Sequence, residues 1–303
     1  MSRAAAAALA ALVLLVEAQP ARAFCLARTC DPADPKQECE LDSDDCPTQG
    51  KVLHWTSGCV TFAIQSDGSR KRGLDADDVR SVSERAFRTW LNADCGDDGP
   101  SMMIGSLGPV VCNESRHNPH GRNANIVMFR DDEWPYPGSI DSYGLTTVRF
   151  NRETGEIYDA DVELNSADVD IRIDAAQNGV DLESILAHEF GHFLGLGHAA
   201  PEDEVSTMRV SWEGQGLDLR SLSEDDTAGI CAAYPPGRRA SSSCTPHNGF
   251  ASECNVPVDE LDGGCALSPP TNERHSASGL VLAALASVLS GARRRTRRPG
   301  ARS

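Results

Sequence analysis

The chain has 303 residues, 28 Lys and Arg against 45 Asp and Glu, and a formal net charge of −17. An acid excess of that size excludes a general nucleic-acid partner, because phosphate backbones need a cationic surface. Aromatic residues make up only 5% of the chain, so a core must be built mainly from Val, Leu, Ile and Ala.

Residues 1–23 read as a secretory signal peptide. Arg3 gives a short basic start, "AAAAALAALVLLV" is an apolar stretch too short for an ordinary span, and "ARA" before Phe24 is a small-residue cleavage site. Eleven cysteines agree with export to an oxidising compartment. Cys25, Cys30, Cys39 and Cys46 crowd segment 24–50, Cys59, Cys95, Cys112 and Cys231 are spread through 51–236, and Cys244 and Cys254 lie in a Ser/Pro/Cys linker over 237–264. An odd count leaves one without a partner, and Cys265 is the expected one; the connectivity of the other ten cannot be read from sequence.

Periodicity then gives the elements of the body. "CVTFAIQ" places Val60, Phe62 and Ile64 on one side of a strand. "LDADDVRSVSERAFRTWLNA" puts Val79, Val82, Ala86 and Trp90 on one helical stripe with Asp75 as N-cap. "NIVMFR" and "YGLTTVRF" read as strands, and "GEIYDADVELN" alternates Val162 and Leu164 against Asp161 and Glu163 as a half-exposed one. Asp181 can cap a helix through "LESILAHEFGHFLG", and Ser223 with Asp226 makes a capping-box pattern for a last helix that "YPP" ends. The pattern is α+β, a mixed sheet with a long helix before it and another after it.

"HEFGHFLGLGH", His188 to His198, carries three of the eight histidines in eleven residues. His188 and His192 share one helix face a turn apart and can bind one zinc ion at about 2.0–2.1 Å each. On a continuing helix His198 would lie about 9 Å further along the axis, so the chain must turn back. Gly195 permits that turn, because glycine tolerates positive φ where a helix ends abruptly. Glu189 then stands beside the metal face, placed to act as general base. A buried helix with ordinary core histidines is the competing explanation. Five fixed positions at roughly one in twenty each would arise by chance in about one chain of this size in 10⁴, which sets it aside.

H-E-x-x-H-x-x-G-x-x-H resembles the metzincin metallopeptidases, and Met208 in "VSTMRV", ten residues after His198, resembles the Met-turn of matrixin-type members. Met102, Met103 and Met128 precede the helix and do not fit that role. "LSEDDTAGICAAYPP" is similar to the last helix of matrixin catalytic domains, so the resemblance covers roughly 50–236. It implies a zincin/metzincin fold, Zn²⁺, and hydrolysis of protein or peptide substrates. It also implies that Gly144, Leu145, Thr146 and Thr147 form a sheet edge that pairs with an extended peptide. Asp131, Asp132, Asp159 and Asp161 are either Ca²⁺ ligands or solvated loop acids. No propeptide cysteine switch is found ahead of the domain; the four early cysteines are better read as a disulfide cluster than as a cap on zinc. "RVSW" after Met208 lacks the Pro-x-Tyr wall of vertebrate matrixins, and His117 and His120 lack the pattern of their second zinc site, so both read as loop residues. A surface adhesin that binds zinc without turnover is the alternative, and a metal-sequestering or structural protein a third; the retained Glu189 speaks against both.

In 265–303, Cys265, a polar spacer, the apolar run "GLVLAALASVLSGA" and "RRRTRR" follow in order. That order is similar to the MYXO-CTERM surface-sorting tails of myxobacteria. The resemblance implies cleavage near Gly264–Cys265, anchoring through Cys265, removal of an apolar helix, and location at the cell surface. Oligomeric state is not legible.

Overall fold

The computed structural model describes residues 24–255, apart from 33, 97, 137–141, 174–178, 202, 213–215, 238–243 and 247, together with Val281–Ala286. The expected signal peptide and Cys265 lie outside the described residues.

Strand β1 (Cys59–Gln65) is buried on both faces, as a central strand flanked by layers on each side must be. β2 (Met103–Val110) and β3 (Ile126–Phe129) run parallel to it on either side. β5 (Ile157–Leu164) is parallel to β3, and β4 (Gly144–Phe150) turns back antiparallel to β5, giving the mixed order β2-β1-β3-β5-β4. A two-residue parallel pair, β6 (Ile171–Arg172) and β7 (Val180–Asp181), leads into the second helix. β2 escaped the sequence reading. Its residues are exposed or half-buried except Val110, and Gly105, Gly108 and Pro109 interrupt any alternation.

Helix α1 (Ala76–Leu91) begins where Asp75 accepts a 2.8 Å bond from the Asp78 amide, and buries the expected stripe Val79, Val82, Ala86 and Trp90. It packs on α2 (Leu182–Phe193), which is buried along its whole length. Phe87 stacks on Phe190 with centroids 3.6 Å apart, and Trp90 Nε1 donates to the Ala187 carbonyl at 2.8 Å. These two helices and the sheet face carrying Val60, Phe62, Ala160, Val162 and Leu164 enclose the main core.

The opposite sheet face corrects one expectation. Asp159, Asp161 and Glu163 alternate with the core residues as predicted, but they are fully buried and not half-exposed. Arg149 Nη1 donates to Asp159 at 2.8 Å and to Asp161 at 3.1 Å, and Arg130 Nε donates to Glu163 at 2.6 Å. Nearby chain closes over this layer, since Arg149 also bonds Ser115 and Tyr136 donates to Glu163. Alternation in sequence marks two different faces; it does not say that the polar one meets water.

Five disulfides join Cys25–Cys46, Cys30–Cys39, Cys59–Cys244, Cys95–Cys231 and Cys112–Cys254. They use the ten cysteines other than Cys265, as the odd count required. The expected linker is therefore stapled to the body as far as its described residues reach, and Val111 N also donates to the Cys254 carbonyl at 2.9 Å. Val281–Ala286 (β8) pairs antiparallel along the outer edge of β4, extended where an apolar helix was expected. An open strand edge offers unpaired N–H and C=O groups, and this run satisfies them. Among the described residues no helix is long and apolar enough to cross a membrane.

Candidate metal centre and active site

α2 starts where Asp181 accepts from the Ser184 amide at 2.9 Å and is itself gripped by Arg220 at 2.8 and 2.6 Å. It ends where Gly195 takes φ +89°. No other residue type fits that position easily, because an added Cβ would lie 2.5 Å from the Leu53 carbonyl oxygen. The terminal carbonyls are capped by distant aromatic side chains: Trp55 Nε1 donates to Phe193 O and the Tyr234 hydroxyl to Leu194 O, both at 2.8 Å. The return after Gly195 brings His198 to His188 and His192, with ligand nitrogens of the three all within 4.8 Å of one another. Among the described residues this is the group of His, Cys, Asp or Glu side chains that converges so.

The imidazoles are oriented before any ion arrives. His188 Nδ1 lies 2.7 Å from the Thr207 carbonyl and His192 Nδ1 lies 2.9 Å from the Leu196 carbonyl. A carbonyl only accepts, so both Nδ1 atoms carry the proton and both Nε2 atoms present a lone pair. His188 Nε2 is buried without a hydrogen-bond partner, a costly state for a polar atom unless something binds there. His192 Nε2 and His198 Nε2 are 3.2 Å apart, close to the roughly 3.3 Å edge of a tetrahedron with bonds of about 2.0–2.1 Å. Burial pushes His188 down to about 3 and His192 to about 4, and burial with the two neighbouring rings takes His198 well below the usual histidine value. All three are neutral near pH 7, as ligation requires. The residues fit a zinc ion.

Glu189 is fully buried beside this tripod. Thr146 Oγ1, from β4, donates to Glu189 Oε2 at 2.6 Å, and a Cβ at Gly144 would come within 2.7 Å of Glu189 Oε1. Of the four residues expected at a substrate edge, Gly144 and Thr146 thus reach the site. Leu145 and Thr147 pair in register with Glu163 and Asp161 and so face the other side of the sheet. The outer edge of β4 is where β8 pairs.

Met208 is buried under α2, and a Cβ at Gly191 would collide with its sulfur. Its turn is organised by a residue the sequence marked only as a helix cap. Asp226 accepts from Ser206 Oγ at 2.6 Å, from Thr207 N at 2.7 Å and from Met208 N at 3.2 Å, while closing the expected capping box of α3 (Glu224–Ala233) with Ser223. Because Thr207 O holds His188, Asp226 acts on that imidazole through one peptide unit. The carbonyls of Thr207 and Leu196 have no sequence signal at all, since every residue has one.

The acids proposed for calcium do not gather around one point. Asp131 accepts from Ser69, Ser166 and the Lys71 amide, and Asp159 and Asp161 share Arg149. Burial and the adjacent carboxylate raise Asp159 well above the ordinary value, and burial raises Asp161 to about 7. His117 stacks on Tyr158 and His120 is exposed, as loop residues. Cys25, Cys30, Cys39 and Cys46 are consumed in two disulfides, so none offers a thiolate to the tripod.

Residues 114–235 match the matrixin family model. The chain is 28% identical over 185 residues to metalloendoproteinase 1-MMP of Arabidopsis thaliana, covering 60% of this chain and 44% of that protein. It is 36% identical over 202 residues to metalloendoproteinase 5-MMP of the same plant (61% and 50%), and 25% identical over 197 residues to matrix metalloproteinase-C of Caenorhabditis elegans (62% and 30%). The chain spans about half or less of the length of these relatives. Matrixins are zinc-dependent, and the α+β sheet with its histidine-bearing helix is consistent with the zincin fold. The matrixin match over residues 114–235, together with the similarity to these relatives, supports a matrixin-type metzincin.

Proposed function

We propose that the chain is a zinc-dependent endopeptidase that cleaves extracellular proteins and is held at the cell surface. The observation that carries the reading is the tripod itself: three neutral imidazoles, two of them aimed by backbone carbonyls, beside a buried glutamate that is not one of the three ligands. His188, His192 and His198 would hold the ion through their ring nitrogens. Zinc, when bound, lowers the pKa of water towards 7 and polarises the scissile carbonyl. Glu189 takes the proton and returns it to the leaving amine, with Thr146 fixing the carboxylate for both transfers. Met208 and Gly191 set the depth at which α2 lies over its turn.

A peptide laid along β4 would gain main-chain hydrogen bonds with little demand on its sequence, provided that β8 leaves that edge. Export by residues 1–23, cleavage near Gly264–Cys265 and anchoring through Cys265 complete the reading; that cleavage would also remove β8. A single acyl chain gives only marginal binding, so stable anchoring through Cys265 requires a second attachment.

The test is hydrolysis of a peptide library by the purified protein with and without a chelator, alongside Glu189→Ala. The variant should retain zinc and lose nearly all hydrolysis. Cleavage near the wild-type rate removes the assigned base, and a zinc-loaded wild type that cleaves nothing favours the adhesin.

A further inference from the structure

Beside His198 lies a groove of about 370 Å³ that metal binding does not account for. One wall comes from the body: Ala199, Pro201 and Val210. The facing wall is the N-terminal disulfide module, with Ala27 and Pro32 near its start and Pro47 near its end. Cys25–Cys46 and Cys30–Cys39 tie this segment to itself. Backbone bonds then stitch the module to the metal-binding return itself, Ala27 N to Gly195 O at 2.9 Å and Gly197 N to Cys25 O at 2.8 Å. The groove wall and the return carrying His198 are therefore joined directly by backbone hydrogen bonds.

The lining has a pattern. Its walls are apolar, yet Asp31, Asp44 and Asp45 also line it, against the single guanidinium of Arg28. Arg28 is directed to its own module, donating to Gly50 O at 3.0 Å. Asp31 is buried, Asp44 half-buried and Asp45 exposed, so the negative charge grades from the wall out to solvent. We infer that this groove is a subsite for a lysine or arginine side chain of the peptide substrate, an inference that rests on the peptidase reading above. A long basic side chain lays its methylenes on apolar walls and carries its head to the carboxylates. A neutral side chain of the same length gains only the walls, and a glutamate meets like charge. The specificity is thus built by the segment ahead of the catalytic domain.

The experiment uses the full-length, zinc-loaded protein and matched peptides carrying Arg, norleucine or Glu at each position flanking the cleaved bond. At one position kcat/KM for Arg should exceed that for norleucine by about tenfold, with Glu poorest, the scale of a partly exposed charge-assisted contact. Asp44→Asn/Asp45→Asn should bring the Arg-to-norleucine ratio close to one. Asn tolerates the φ of +60° at Asp45, so the turn survives, and circular dichroism checks that it does. A wild-type ratio near one at every position, or a ratio that the double variant leaves unchanged, overturns the subsite while the peptidase stands. Failure to cleave any peptide overturns both.

Discussion

Glu189 is positioned by a hydroxyl from another element of the fold, Thr146, 43 residues away in sequence and 2.6 Å away in space. Removing it leaves a buried carboxylate oxygen short of a strong donor, which costs about 1–3 kcal/mol. Thr146→Val should therefore lower kcat by about tenfold or more with zinc content unchanged, and Thr146→Ser should restore it. A valine variant near the wild-type rate, with the serine variant the slower one, would assign Thr146 to packing alone. A second residue-scale prediction concerns Asp159 and Asp161, two buried carboxylates sharing Arg149. Their pKa values are raised in the folded state, so the folded protein binds more protons than the unfolded chain between the ordinary carboxylate range and about pH 7. The stability this contributes is present at low pH and lost as pH rises through about 7. Asp159→Asn leaves one carboxylate for one guanidinium. The melting-temperature difference, wild type minus variant, should fall between about pH 5.5 and about pH 8; a difference independent of pH would refute it.

At the scale of elements, the site depends on two turns. Gly195 ends α2 at φ +89° against the Leu53 carbonyl, so Gly195→Ala carries a left-handed penalty of about 1–2 kcal/mol plus that collision. Lower thermal stability together with weakened zinc binding is expected, because the same turn delivers His198; calorimetry and metal analysis read both. Asp226 joins the Met208 turn to α3, and Thr207 in that turn aims His188. Asp226→Asn replaces an acceptor oxygen with a donor facing N–H groups, and should weaken zinc affinity by roughly 10–100-fold without touching a ligand. Unchanged affinity would show that α2 alone orients His188.

At the scale of the molecule, the few aromatic residues are gathered in the core, among them Trp90, Phe87, Phe190 and Tyr234, and the disulfides tie distant stretches of chain around it. Cys95–Cys231 closes a separation of 136 residues and ties the end of α1 to α3, the element that holds the Met208 turn. Cys95→Ser/Cys231→Ser should cost about 2–5 kcal/mol in chemical denaturation, with zinc affinity falling alongside. Stability lost with zinc affinity intact would uncouple α3 from the metal centre.

Local features are legible from residue spacing alone. Asp75, Asp181 and Ser223 cap the predicted helices because capping is a contact within four residues. The spacing of His188, Glu189, His192, Gly195 and His198 encodes a tripod because helix pitch and one glycine turn fix it within eleven residues. Features that depend on which faces meet are settled only in three dimensions. β5 alternates in sequence whether its acids face water or Arg149, and pairing with β4 under nearby chain chose burial. The connectivity of ten cysteines, the carbonyls that aim His188 and His192, and the union of residues 24–50 with the His198 return all join parts of the chain by backbone or symmetric chemistry. Such groups are the same at every residue, so composition and spacing carry no mark of them until the chain is folded.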